Sequence, residues 1–106
     1  MQALEALADP TRRRIVELLA ERDRDAGEIA SHFRVSRPAV SRHLRVLREH
    51  GLVRAQSVAQ RRVYSLDPEP LEEIDAWLAK YRPYWANRLD ALDLQLRRAR
   101  RQRKDA

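Results

Sequence analysis

Cysteine is absent from the 106 residues, so no disulfide framework, thiol nucleophile or cysteine-ligated metal site can be written. Glycine occurs only at Gly27 and Gly51, which excludes phosphate-binding loops of the GxxxxGK and GxGxxG types. No run of about 18 apolar residues is present, so no membrane-spanning helix and no membrane partner are expected. The opening MQALEALADP lacks the basic-then-apolar plan of a secretory leader, and a cytoplasmic location is expected. No serine stands in GxSxG and no His/carboxylate arrangement stands out. Glu72 and Glu73 are adjacent and diverge if helical. An enzyme is therefore not expected, and neither a catalytic residue nor a cofactor is assigned.

What the chain has is charge. Lys and Arg number 22 against 16 Asp and Glu, a net charge of +6, in a chain that is still 43% hydrophobic. The charge is patterned. Residues 1–28 are net −2, residues 29–66 net +7, residues 67–96 net −4 and residues 97–106 net +5. The +7 block holds a single acid, Glu49, against eight basic residues, all Arg: Arg34, Arg37, Arg42, Arg45, Arg48, Arg54, Arg61 and Arg62. Arg offers a planar fork of donors that suits phosphates and base edges. A basic block between acidic flanks reads as the footprint of a polyanion, against the plainer reading of a solvated helix face.

Residues 2–8 read as a short helix, and Asp9-Pro10 opens a second. Ile15, Val16, Leu18 and Leu19 give it an apolar face. Arg22-Asp23-Arg24 reads as a polar break, and Asp25 with Glu28 resembles a capping box for a helix over 26–33 that buries Ile29, Ala30 and Phe33. After a turn of about three residues, Ser36 caps a helix that ends before Gly51 and turns Val40, Leu44 and Leu47 inward. Two helices so joined are the layout of a helix-turn-helix. Residues 52–58 and 61–66 read as strands. Ala59-Gln60 between them lacks the favoured Asn-Gly or Asp-Gly, so a longer or mobile loop is expected. The hairpin makes the unit a winged helix.

From residue 71 a long final helix is expected, with apolar residues Leu71, Ile74, Leu78, Tyr81, Trp85, Leu89, Leu92, Leu96 and Ala99 at coiled-coil-like spacing and one stutter near Pro83. Pro83 either kinks this helix or starts a new one. The stripe is too long for one small domain to cover. It argues for pairing with a second copy, with Leu4, Leu7, Leu71, Ile74, Leu78, Tyr81, Trp85, Leu89 and Leu92 as interface residues. Packing within the monomer is the alternative. Trp77, Tyr84 and Trp85 fit either that interface or a ligand pocket, the interface being preferred. The expected fold is thus mainly α with a small β-hairpin: a winged helix-turn-helix domain over residues 1–96, dimerising through its N- and C-terminal helices. A basic, disordered tail over 97–106 would follow.

The stretches ADPTRRRIVELLAE, EIASHFRVSRPAVSRHLRVLREHGLVRA and RRVYSLDP together resemble the ArsR/SmtB family of bacterial winged-helix regulators, over about residues 3–70. The resemblance implies a homodimer that represses its own operon and releases DNA when an effector arrives; for this chain a small molecule, a partner protein, or no effector with plain autorepression all stay open. Metal sensors of that family use paired cysteines before the recognition helix, where this chain reads GEIASHF, or His and carboxylate ligands on the last helix, where no His follows His50. The departure argues against metal sensing through either site. YRPYWANRLDALDLQL is similar to the last helix of a subgroup often encoded beside SRPBCC-type proteins.

The DNA-contact candidates are Ser36, Arg37, Ser41, Arg42 and Arg45 on the recognition helix, with Arg61 and Arg62 on the wing. Ser36 serves equally as a cap alone. His43 reads as a half-buried, hydrogen-bonded side chain, and His32 and His50 as surface residues. Arg12, Arg13 and Arg14 oppose the helix dipole at a helix start, and solvation is their default reading. The expected partner is a double-stranded operator. The alternative is a nonspecific nucleoid-type DNA- or RNA-binding protein that draws on the Arg tail.

Overall fold

The structure is a computed structural model that describes residues 2–105, with side chains to residue 103. Its elements are α1 (Gln2–Ala6), α2 (Pro10–Glu21), β1 (Arg24–Asp25), α3 (Ala26–Ala30), α4 (Arg37–Glu49), β2 (Val53–Val58), β3 (Arg61–Leu66), α5 (Glu69–Ala79) and α6 (Arg82–Asp105). Where one domain over 1–96 is expected, the chain divides into two compact units, Met1–Ile74 and Asp75–Ala106. The division follows burial: beyond Ile74, no described side chain is buried.

The helix starts of the first unit are set by side-chain oxygens. Asp9 accepts from the Arg12 N–H at 2.9 Å, Asp25 from Glu28 at 2.8 Å and Ser36 from Ala39 at 3.3 Å, each satisfying a first-turn donor with no partner in its helix. The end of α4 is equally specific. Gly51, at φ 76°, turns the chain so that its own N–H donates to Arg48 and the Leu52 N–H to Leu47, both at 3.0 Å. Leu47 and Leu52, closed against each other by this turn, are both fully buried.

The core gathers Ile15 and Leu19 of α2, Ile29 of α3, Val40, Leu44 and Leu47 of α4, and Tyr64 of β3, with Ala3 and Ala6 of α1. Ala30 and Phe33 lie partly buried against it. The sheet is antiparallel in the order β1-β3-β2, so the expected hairpin gains a third strand. Arg24, read as part of a polar break, and Asp25, read as a helix cap, supply it. Arg24 pairs with Tyr64 and Asp25 with Val63. Arg24 is buried because its guanidinium is satisfied: Nε donates to the Leu18 carbonyl at 3.1 Å and Nη2 to Glu21 at 2.8 Å.

The wing turn is shorter than expected. Val58 pairs with Arg61, which leaves Ala59-Gln60 as a two-residue connection. Ala59 takes φ 56°, a left-handed conformation that costs an L-residue about 1–2 kcal/mol. In the second unit, Pro83 starts a new helix instead of kinking a long one. It has no N–H to bond back to Ala79, so α5 ends there and α6 begins at Arg82. Over the stretch expected to be a disordered tail, α6 continues to Asp105. Arg, Gln and Ala are strong helix formers, and Arg97 pairs with Asp93 one turn back at 3.0 Å.

Candidate nucleic-acid interface

Helix α3 ends at Ala30, earlier than the expected residue 33, because the chain tightens. The N–H groups of His32 and Phe33 bond three residues back, to Ile29 and Ala30, at 3.1 Å each. Residues 31–36 then lead into α4. Along α4, Arg37, Ser41, Arg45 and Arg48 follow at steps of four, four and three and share one face, with Arg42 beside them. All five are exposed, as is Ser36 at the cap. The opposite face, Val40, Leu44 and Leu47, is locked in the core, which fixes the helix in rotation. Sequence reasoning left Arg48 off the site, although three residues beyond Arg45 on a helix is the same face.

Charge pairing separates the eight arginines of the basic block. Arg54 pairs with Asp67 at 3.0 Å, and Arg61 pairs with Asp25 and Glu28. Arg34, Arg37, Arg42, Arg45, Arg48 and Arg62 have no carboxylate partner among the described residues. Their charge is therefore available to an outside anion. Arg62 lies over the Tyr64 ring, 5.7 Å from its centroid. Arg61, expected beside Arg62 as a DNA contact, is engaged with the start of α3. Arg37 also reaches α3: its Nη2 lies 3.0 Å from where a Cβ on Gly27 would stand, so Gly27 leaves room for it.

A second polar cluster ties α4 to the N-terminal helices. Arg12 Nε donates to the Ala6 carbonyl at 2.6 Å, its Nη1 lies 3.5 Å from His43 Nδ1, and Asp9 Oδ2 lies 3.9 Å from the same nitrogen. His43 is half-buried, as its sequence position suggests. His50 differs from expectation: it is partly buried, with Nδ1 2.8 Å from the Val46 carbonyl, and only His32 of that pair is a surface residue. Arg12 is thus structural, and Arg14 pairs with Glu17 at 3.2 Å.

Three carboxylates sit below their ordinary pKa. The Glu28 N–H, and then Arg61, lower Asp25. The Glu69 N–H, and then Arg54, lower Asp67. The Arg12 N–H is the main cause at Asp9, with the charges of His43 and Arg12 adding to it against partial burial. Asp25 in turn raises the Arg61 guanidinium. Among the described residues no group of three His, Cys, Asp or Glu side chains is placed to hold a metal ion, and no helix is long and apolar enough to cross a membrane.

The interface residues proposed from sequence divide by location. Ile74 is buried in the core of the first unit, and Leu7 and Leu71 pack half-buried against it. α1 and the first turns of α5 place these three against the helical core. Leu4 is 40% exposed. In the second unit, Leu78, Tyr81, Trp85, Leu89 and Leu92 are all exposed, Leu89 by 63%. Trp77 and Tyr81 rings lie 5.3 Å apart, and Tyr84 and Trp85 rings 5.6 Å apart.

A basic, rotationally fixed helix after a short helix and turn, followed by a paired hairpin, defines a winged helix-turn-helix of the DNA-binding kind. The sequence pattern of bacterial regulatory proteins of the arsR family matches residues 9–55. The chain is 48% identical over 80 residues to an HTH-type transcriptional regulator of Mycobacterium tuberculosis, covering 76% of this chain and 75% of the relative. It is 37% identical over 76 residues to the transcriptional repressor SdpR of Bacillus subtilis, covering 72% and 84%. A crystal structure of a possible transcriptional regulator for arsenical resistance superposes with a TM-score of 0.71 at 40% identity, covering 90% of this chain and 96% of that one. The chain belongs to the ArsR family, whose members are DNA-binding transcriptional regulators and not enzymes.

Proposed function

We propose that this chain is a homodimeric repressor that binds a two-fold operator in the promoter of its own operon, in the bacterial cytoplasm. The observation that carries the reading is the set of arginines on the outer face of α4 and on the wing that have no carboxylate partner among the described residues, backed by a core that holds α4 in one orientation. Arg37, Ser41, Arg42 and Arg45 read bases or hold phosphates, Ser36 meets a phosphate at the helix start, and Arg48 and Arg62 add phosphate contacts. The sign of regulation rests on the Bacillus relative, which is named a repressor. Dimerisation rests on the exposed apolar face of the second unit, Leu78, Tyr81, Trp85, Leu89 and Leu92, and separately on Leu4 of α1. In such a dimer the two recognition helices would enter successive major grooves about 34 Å apart.

The donor set does not fit a metal at either known site of the family. Helix α3 reads AGEIA, with no thiol, and no His follows His50. The regulator therefore does not respond to metal through those sites, and purified protein is expected to hold no stoichiometric zinc. One bound metal per protomer whose removal changes DNA affinity would overturn this.

The test of the main reading is fluorescence anisotropy on the chain's own promoter and on random duplex, across a salt series. Equal binding to both would sink it. Arg42→Ala is expected to cost about 1–3 kcal/mol on the operator and to relax base preference. Nonspecific binding is favoured instead by the basic end of α6, where Arg98, Arg100, Arg101 and Arg103 have no carboxylate partner among the described residues. Removing residues 97–106 discriminates: loss of most affinity supports the nonspecific reading, and retained operator preference supports the repressor.

A further inference from the structure

Arg61 and Arg62 are neighbours on β3 with opposite surroundings, because successive side chains of a strand leave on opposite faces. Arg62 lies over Tyr64 and faces no carboxylate among the described residues. Arg61 turns to α3. Its Nε donates to Asp25 Oδ2 at 2.9 Å, and its Nη2 donates to the same oxygen and to Glu28 Oε1, the latter at 2.9 Å. Arg22 holds the other Glu28 oxygen at 2.8 Å. We propose that Arg61 is a positioning residue: it pins the wing to the start of α3 through Asp25 and Glu28, and so aims Arg62 at DNA instead of meeting a phosphate itself. The inference rests on the DNA-binding reading above.

Three features carry it. An isolated exposed ion pair contributes little, but one guanidinium shared by two carboxylates, one of them held by a second Arg, is a network with fixed geometry. A phosphate approaching Arg61 would come close to Asp25 and Glu28, and like charges repel. Finally, β1 pairs with β3 only at Val63 and Tyr64, so the ribbon toward the wing tip has no strand neighbour on that side. Arg61 lies just past the paired segment, and its bonds continue the attachment outward.

The test combines hydrogen exchange of the amides of residues 56–62 in the free protein with operator binding across a salt series. The variants are Arg61→Ala, Arg61→Lys and Asp25→Asn, the last keeping an oxygen that caps α3. Arg61→Ala and Asp25→Asn should each speed wing exchange about tenfold, with Arg61→Lys recovering part of the protection. Both should weaken operator binding, and Arg61→Ala made in an Arg62→Ala background should leave the salt slope of that background unchanged. Tighter binding by Asp25→Asn, or a slope shallower by about 1 when Arg61→Ala joins Arg62→Ala, would mark Arg61 as a phosphate contact and overturn the proposal. Unchanged wing exchange in both variants would overturn it as well. A wild-type chain that bound no DNA would defeat the DNA reading alone, because the exchange measurement needs no DNA.

Discussion

Helices α4 and α6 are both built from Arg and Leu at helical spacing, yet they end in opposite conditions. In α4 the apolar side chains are closed off, Leu44 at 1% and Leu47 at 0% exposure. In α6 Leu89 stands 63% and Trp85 58% exposed. Composition is not the difference. Four neighbouring elements supply a cover for α4, whereas the second unit consists of the end of α5 and α6, which bury nothing large between them. The first unit is closed by its own contacts. The second presents an apolar face whose stabilisation has to come from association, which is why the proposed dimer draws on it.

The largest effect that should separate the two is truncation of a leucine in each. Leu47→Ala is expected to cost about 2–5 kcal/mol in urea unfolding, independent of protein concentration. Leu89→Ala should leave that unfolding nearly unchanged in dilute protein and weaken self-association, read as a concentration-dependent melt. Equal losses in dilute protein would break the contrast. Next comes the buried Arg24. Arg24→Ala removes a charged donor from the Leu18 carbonyl and is expected to cost about 2 kcal/mol, whereas exposed Arg62→Ala should spare stability and lower DNA affinity.

Acid sharpens the contrast from another side. Asp9, Asp25 and Asp67 all belong to the first unit and have lowered pKa values. A carboxylate with a lowered folded pKa contributes stability that is complete above its unfolded value, about 4, and is lost as pH falls through the folded value. The melting temperature of the first unit should therefore fall below about pH 4, and Asp67→Asn should flatten that fall. The smallest effect concerns Ala59. Ala59→Gly relieves the positive φ at some entropic cost and is expected to stabilise the wing by up to about 1 kcal/mol in thermal melts.

Much of the DNA-facing unit was legible in the sequence because its signals are local. Asp9, Asp25 and Ser36 lie three residues from the N–H groups they cap, and Gly51 stops α4 beside it. The inward stripe of α4 shows as period, and its arginines as what remains. Other features were hidden for a physical reason. A two-residue strand such as β1 has no period to read, and Arg24 looks like a loop residue until the carbonyl that buries it is in place. Arg61 and Asp25 are 36 residues apart, so only the fold brings them together. Ile74 shares its spacing with the exposed stripe, and nothing in that spacing says that α5 turns it into the core. The tail carries two opposed signals, since its charge suggests disorder while Arg, Ala and Gln favour helix.

The closure at the base of the wing has a mechanical meaning. The Asp67 N–H donates to the Leu52 carbonyl at 2.9 Å, and Arg54 pairs with the same Asp67, so the ribbon leaves the body from a clamped root. Six residues per strand make it about 20 Å long. A lever of that length turns a tilt of about 10° at its root into about 3.5 Å at its tip, more than a hydrogen bond spans. Whatever stiffens the root therefore decides where the wing carries Arg62.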